Sequence, residues 1–189
     1  MGPVPIYYEH DEPDHRAEAH MAVSGKNRKT EKRWQFEPGE DHIQAEVPEE
    51  ERTTLFPDGC FGEYEADLRE LEKYYNEDRY LFSRTDQCAP ELIPAAECLL
   101  DTLDQMLSAS VFIFDEYGSS GLRKLAVDLM DRICKDSYAA GEKVSAHVSW
   151  MLQQFPEDEI LREDLKEIDE TFTDFYLEAY GVMIKKKKC

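Results

Sequence analysis

The stretch PEDEILREDLKEIDETFTDFYLEAYG, residues 156–181, carries the clearest structural signal in the chain. Its apolar residues recur alternately four and three positions apart, which is the spacing of a helix that packs along one seam. These residues are Leu161, Leu165, Ile168, Phe172, Phe175 and Ala179. The acidic first turn suits the positive end of a helix dipole, and Gly181 is expected to end the helix.

The four segments that precede this stretch also show helical periodicity. They are residues 62–84, 89–118, 119–136 and 137–156. The second segment is apolar on most of its circumference, which is typical of a central helix. The third begins with Ser119 or Ser120 as a candidate N-cap, and the fourth stops at Pro156. No segment has the pattern of a strand pair, so residues 61–184 are predicted to form a compact all-α bundle of about five helices.

Residues 1–60 have a different composition from the rest of the chain. They contain six of the nine prolines, mixed charges, and no sustained helical or strand period. We predict a disordered arm, because such a sequence buries too little apolar surface to offset the entropy cost of ordering. Trp34 and Phe36 interrupt this pattern, either as one local anchor or as a short linear motif that docks on this domain or on a partner.

The overall charge and the cysteine content narrow the class of protein. The 189 residues carry a formal net charge of -20, so phosphates would be repelled and nucleic acid is not expected as a partner. The chain has five cysteines, an odd number, and no C-x-x-C motif. This pattern indicates free thiols in a reducing compartment. No run of 18 apolar residues exists. We expect a cytoplasmic location, and the basic run at residues 26–33 leaves a nuclear one open.

The C-terminal residues 185–189 are predicted to form a short basic tail. Lys185, Lys186, Lys187 and Lys188 would be attracted to an anionic membrane surface by about 1 kcal/mol per lysine. An acyl chain on Cys189 would supply a second membrane signal. The tail therefore suggests a peripheral membrane scaffold, and a plain solubilising tail is the alternative.

Few residue patterns in the chain could support catalysis. His147 is the only histidine in the predicted helices and is expected to be a core or flanking residue. The sequence FIFDEYGSS resembles, in a few residues, the acid pair at the metal-diphosphate sites of terpene cyclases. On that reading, Asp115, Glu116, Asp128 and Asp131 form a small metal-dependent enzyme site, and solvent-exposed helix-end acids are the alternative. We expect no enzyme activity, no cofactor and no metal.

Three short motifs have a further resemblance: GSSGLR at residues 118–123, TFTDFYLEAYG at 171–181 and LRELEKYY at 68–75. They resemble the G-x-N-W-G-R, W-D-x-F-V-E-L-Y-G and L-R-x-x-G-D motifs of the B-cell lymphoma-2 family of apoptosis regulators. The chain departs from that family where Ser120, Gly121 and Leu122 replace Asn-Trp-Gly. The resemblance implies an all-α bundle whose surface groove holds an amphipathic partner helix.

In such a groove, Arg123 would pair with an acidic residue of the incoming helix. The implied partner-binding residues are Gly118, Leu122, Arg123, Leu125, Leu129, Leu68, Leu71 and Tyr75. A second candidate surface is the tyrosine-rich face of Tyr74, Tyr75 and Tyr80. Alternatively, Arg123 pairs with Asp115 or Glu116 and is structural. The sequence thus predicts a non-enzymatic interaction module of apoptosis or signalling type, whose partner is an amphipathic helix or a second copy of the chain.

Overall fold

The computed structural model describes residues 34–40 and 42–189. The contacts within the chain divide it between Gln35 and Phe36, and the fold described below is that of the second unit, residues 36–189. Residues 1–33 and Asp41, which belong to the predicted arm, lie outside the described residues.

Four α-helices make up most of the second unit, and its described residues contain no strand. Helix α1 is Glu65–Arg84, α2 is Leu92–Glu116, α3 is Ser120–Gln154 and α4 is Glu159–Lys187. Two short 3-10 turns, Glu49–Glu51 and Gly62–Tyr64, precede α1. The predicted all-α fold is confirmed for these residues, while the predicted number of about five helices is one too many.

The difference in helix number lies in α3, which is a single helix of 35 residues. The sequence predicted two helices that meet between residues 136 and 137. Ser137 is buried, but its hydroxyl donates to the carbonyl of Cys134, so its polar group is satisfied inside the helix. Gly141 costs about 1 kcal/mol in a helix interior, which is less than the burial of its neighbours Ala140 and Val144 contributes.

The predicted start of α3 is confirmed at Ser119. The hydroxyl of Ser119 accepts a hydrogen bond from the backbone N–H of Leu122 at 3.1 Å. Asp158 caps α4 in the same way, since its carboxylate accepts from the N–H of Leu161 at 2.9 Å. These caps satisfy backbone donors that have no partner within the first turn of a helix. A four-residue connection that includes Pro156 separates the two helices, as the sequence predicted.

Helix α4 continues beyond Gly181, where the sequence predicted its end, to Lys187. Met183 is only 4% exposed, and burying such a side chain contributes about 1.5–3 kcal/mol. That gain exceeds the roughly 1 kcal/mol that a helical glycine costs. The predicted end was wrong because a residue beyond the glycine packs into the core. Lys185, Lys186 and Lys187 therefore belong to the last turns of α4 rather than to a separate tail.

Helix α2 lies at the centre of the bundle. It packs against α1 and against α3, while α4 packs against α3 and barely touches α2. The buried side chains of α2 lie on most of its circumference, as its sequence predicted, and include Leu99, Leu103, Met106 and Ile113. Because α2 and α4 both rest on α3 without closing on each other, an open groove remains between them.

The described residues 36–40 and 42–60, called the N-terminal segment below, also contribute to the core. Phe36, Val47, Leu55 and Phe56 are buried, and Phe56 is only 1% exposed. This differs from the disordered arm that the sequence predicted for residues 1–60. The physical reason is that large apolar side chains, although few and widely spaced, fit against helices that are formed by the rest of the chain.

Polar side chains of α1 hold the N-terminal segment in place. The carboxylate of Glu72 accepts hydrogen bonds from the N–H groups of Leu55 and Phe56, at 2.7 and 3.2 Å. Asn76 accepts from the N–H of Thr53 at 2.7 Å and donates to its carbonyl at 2.9 Å. An extended segment has few backbone partners of its own, so these side chains satisfy groups that would otherwise be buried without partners.

Candidate functional site

The predicted partner-binding corner lies at the exposed start of α3. Gly118 is exposed with open space around it, and Arg123 is exposed with its guanidinium carbon 5.0 Å from the centroid of the Phe114 ring. Leu122 and Leu125 are half-buried. Arg123 therefore stacks on an aromatic side chain of its own bundle, which favours a structural contribution from this residue.

The other predicted partner-binding residues lie in the core of the bundle. Leu68, Leu71, Tyr75 and Leu129 are at most 4% exposed, and the hydroxyl of Tyr75 donates to Asp136 of α3. Burial and the acceptor Asp136 raise the pKa of the Tyr75 phenol. The eight residues that the resemblance implied for partner binding thus do not form one exposed surface, since these four make contacts within the chain.

The predicted tyrosine-rich face is also occupied by residues of the same chain. Tyr74 stacks on the imidazole of His42 with their ring centroids 3.7 Å apart. Tyr80 lies under the guanidinium of Arg84, whose carbon is 4.2 Å from the ring centroid. One face of each ring is therefore already in contact with a side chain of the same chain.

Lysines pair with three of the four acids that suggested a metal-dependent enzyme. Asp115 accepts from Lys186 at 2.7 Å, Asp128 from Lys124 at 2.7 Å and Asp131 from Lys135 at 2.8 Å. Each of these three carboxylates is therefore paired with a cationic side chain of the same chain. In the described part of the chain, no group of three or more histidine, cysteine or acidic residues is placed to hold a metal ion.

The predicted membrane tail is partly tied to the bundle. The side chain of Lys186 is 20% exposed and reaches both Asp115 and the ring of Phe114, whose centroid is 5.1 Å from its Nζ. Lys185, Lys187, Lys188 and Cys189 are exposed. Among the helices described, none combines the length and apolar character needed to cross a bilayer.

A buried polar cluster that the sequence did not reveal joins the N-terminal segment to α1 and α2. The two ring nitrogens of His42 each lie 3.1 Å from a carboxylate oxygen, Nε2 from Glu77 and Nδ1 from Asp78. The hydroxyl of Thr102 donates to the second oxygen of Asp78 at 2.6 Å. A cavity of about 150 Å³ lies beside these groups. Nε2 of His42 hydrogen-bonds to Glu77, whereas Oδ1 of Asp78, which faces Nδ1, is buried without a hydrogen-bond partner among the described residues.

Burial dominates the electrostatics of this cluster. Desolvation raises the pKa of the Asp78 carboxyl to about 6, although the hydrogen bond from Thr102 and the nearby His42 act to lower it. The cluster therefore contains a carboxylate that is destabilised by the low-dielectric core. We interpret it as a structural clamp on the N-terminal segment.

The clamp predicts a pH dependence of stability. Asp78 binds its proton more tightly in the folded chain, where its pKa is about 6, than in the unfolded chain, where it is near 3.8. The unfolding free energy therefore rises as the pH falls through 6 and Asp78 takes up its proton. It falls again as the pH rises and the proton is lost. Between pH 7 and pH 5 the wild type should gain about 1 kcal/mol in unfolding free energy relative to Asp78→Asn. Urea denaturation of both proteins measures this difference, and parallel pH profiles would contradict it.

An open groove on the described surface lies between α2 and α4 and is lined by both helices. It consists of two adjoining depressions of about 510 and 400 Å³, which share Glu97, Leu100 and Thr171. Its apolar floor is formed by Leu100, Ile168, Phe172 and Phe175. Along α4 the groove extends from residue 164 to residue 178, which corresponds to about 21 Å of helix.

Acidic side chains form both walls of this groove. They are Glu97, Asp101 and Asp104 on α2, and Asp164, Glu167, Asp174 and Glu178 on α4. No lysine, arginine or histidine of the described residues forms a salt bridge with any of them. Burial and the charge of Asp104 raise the pKa of the Asp101 carboxyl. The walls therefore create a negative potential over an apolar floor, and such a surface attracts cationic ligands.

Comparisons of the chain with protein-family models, with curated proteins and with solved structures found no match. The resemblance to the B-cell lymphoma-2 family stays a prediction, which these comparisons neither support nor contradict. The fold and the groove define the chain as an all-α helical bundle with an acidic surface groove.

Proposed function

We propose that this chain is a non-enzymatic protein-interaction module whose α2–α4 groove binds a cationic amphipathic helix of another protein. The observation that carries the proposal is the combination of an apolar floor with two acidic walls that lack salt-bridge partners among the described residues. The amphipathic helical partner is the one predicted from the sequence. The proposed site differs, because four of the residues predicted for that role are buried in the core.

The dimensions of the groove suit a short helix. A guest helix of about 14 residues spans about 21 Å, the length over which α4 lines the groove. Apolar residues of the guest at i, i+3, i+4 and i+7 would contact Leu100, Ile168 and Phe175. Lysine or arginine residues on both flanks of that stripe would lie next to the acidic walls, which would repel an acidic helix of the same apolar pattern.

Titration of the full-length protein with a fluorescent cationic amphipathic peptide of about 14 residues tests the proposal. We expect saturable binding that weakens with added salt, because the walls act through charge. The double variant Asp104→Lys and Asp174→Lys reverses one charge on each wall. It should weaken binding by about tenfold or more, since each reversal removes an attraction and adds a repulsion.

A matched control separates the groove from the overall negative charge. Glu63→Lys together with Glu157→Lys changes the net charge by the same amount at exposed positions that do not line the groove. This variant should bind the peptide nearly as well as the wild type. Equal weakening in both double variants would show that long-range charge alone attracts the peptide, and the groove proposal would then be wrong.

A further inference from the structure

The cavity of about 150 Å³ beside the buried polar cluster is lined by the N-terminal segment, α1 and α2. It is called the acidic cavity below, because four carboxylates line it and His42 is the one basic side chain in its lining. The carboxylates belong to Glu40, Asp78, Glu97 and Asp101. A cavity of this volume has room for a ligand of about six non-hydrogen atoms, whereas one water molecule needs only about 10–15 Å³.

One acceptor in the wall of the acidic cavity is buried without a donor. The side chain of Asp78 is 2% exposed, and its Oδ2 accepts a hydrogen bond from Thr102. Its Oδ1 has no hydrogen-bond partner among the described residues, although Nδ1 of His42 is 3.1 Å away. Buried acceptors are nearly always satisfied, so this atom indicates a donor that the described residues do not supply.

The other three carboxylates have no cationic partner within the described part of the chain. No lysine, arginine or histidine there forms a salt bridge with Glu40, Glu97 or Asp101. Burial raises the pKa of the Asp78 carboxyl to about 6 and raises the pKa of Asp101 as well. A cation in the cavity would stabilise the ionised forms of both, because a nearby opposite charge offsets the cost of desolvation.

Part of the lining is apolar, which favours a cation with a hydrocarbon chain. The ring of Tyr74 and the side chain of Cys98 line the same space as the carboxylates. Asp101 comes so close to the N-terminal segment that a Cβ atom at Gly39 would lie 3.1 Å from its Oδ2. A primary alkylammonium ion suits this lining, since it places three N–H donors among the carboxylates and its chain against the ring.

Two simpler occupants suit the acidic cavity less well. A metal ion needs several ligands held close together, and no three histidine, cysteine or acidic residues of the described chain are placed to hold one. A water molecule would donate to Asp78, but it would bring no positive charge and would fill only a fraction of the volume.

We propose that the acidic cavity is a binding site for a primary alkylammonium group, whose nitrogen lies beside Asp78 and Asp101 and whose chain lies against Tyr74. Both a small free amine and a lysine side chain carry this group. Glu97 and Asp101 line the acidic cavity and also the α2–α4 groove, so the two sites adjoin along α2. Binding of a small amine does not require the groove to hold a helix.

NMR titration of the full-length protein with n-butylamine tests the site. At pH 8 the amine and the carboxyl groups are both charged, and about 150 mM sodium chloride screens attraction to distant charges. We expect saturable shifts of the backbone N–H signals of Gly39 and Thr102, with the millimolar dissociation constant of so small a ligand. 1-Butanol has nearly the same shape without the charge, and it should bind at least about tenfold more weakly.

A matched pair of variants separates the acidic cavity from the groove. Asp101→Asn removes an exposed charge from the cavity wall and should weaken n-butylamine binding by about fivefold or more. Asp104→Asn makes the same change at an exposed position that lines the groove but not the cavity, and it should bind the amine like the wild type. Asp78→Asn should weaken binding by about tenfold, because a buried charge is little screened.

Several outcomes would overturn the proposal. They are an absence of saturable shifts at the acidic cavity, equal binding of 1-butanol, normal binding by Asp78→Asn, and equal losses in Asp101→Asn and Asp104→Asn. Circular dichroism shows whether each variant is folded. Because Asp101 is exposed, Asp101→Asn keeps the test valid even if Asp78→Asn fails to fold.

Competition with the cationic peptide of the groove titration distinguishes the two sources of the ammonium group. If a lysine of the peptide enters the acidic cavity, n-butylamine should displace the peptide more strongly than sodium chloride of equal ionic strength does. Equal effects of the two salts would assign the cavity to a small free amine. This competition alone rests on the proposed function, and the n-butylamine titration tests the cavity whether or not the peptide binds.

Discussion

Ala139→Pro should lower the unfolding free energy by about 3 kcal/mol or more, because it places proline in the interior of α3. Proline has no N–H to donate to the carbonyl of residue 135, and its ring clashes with that carbonyl. Ala139 is exposed, so the substitution removes no core side chain. If the chain formed two helices that meet between residues 136 and 137, a proline so close to the junction would be tolerated.

Ser120→Pro is the matched control for that variant. Ser120 is the first residue of the same helix and is also exposed. At this position the missing N–H has no partner within the helix, and the fixed φ of proline is suitable. We expect a change within about 0.5 kcal/mol. Urea unfolding followed by circular dichroism measures both variants, and equal stabilities would contradict a continuous α3.

The positions of the helices could be predicted from local sequence patterns, but some of the helix ends could not. The apolar spacing in residues 156–181 and the capping position of Ser119 are local signals, and both identified real features. Gly181 is a local signal too, and Gly141 lies inside α3, but a helical glycine costs only about 1 kcal/mol. Packing between helices outweighs such a penalty, so neither glycine ends a helix.

The candidate site could not be predicted because its parts lie far apart in the sequence. Asp104 and Asp174 face the same groove only because α2 and α4 both pack on α3. In the sequence each of them reads as an ordinary charge on the polar side of an amphipathic helix. The buried cluster of His42, Asp78 and Thr102 escaped detection for the same reason.

The apolar pattern also could not distinguish contacts within the chain from contacts with a partner. Leu68, Leu71 and Tyr75 have the spacing of a partner-binding face, and the structure buries all three against neighbouring helices. Leu177 and Tyr180 have the same spacing on α4, yet they remain exposed. Helical periodicity shows that a face is apolar, and only the fold shows whether that face is already covered.

Phe56→Ala should lower the unfolding free energy by about 3–5 kcal/mol, although residue 56 lies in a segment whose composition predicted disorder. Phe56 is 1% exposed, and its ring contacts Phe61 with the centroids 6.0 Å apart. Its backbone N–H donates to Glu72 of α1. Truncation would leave a cavity that this hydrogen-bonded backbone is poorly able to fill, so the loss exceeds the transfer free energy of the removed atoms.

Ile43→Ala in the same segment is the control, since Ile43 is 46% exposed. It should change the unfolding free energy by less than about 1 kcal/mol, because most of the removed surface is already in contact with water. Urea unfolding at pH 7 compares the two variants with the wild type. A loss at Phe56 as small as that at Ile43 would mean that the N-terminal segment does not pack in solution. The large difference we expect would place this segment in the same cooperative unit as the four helices.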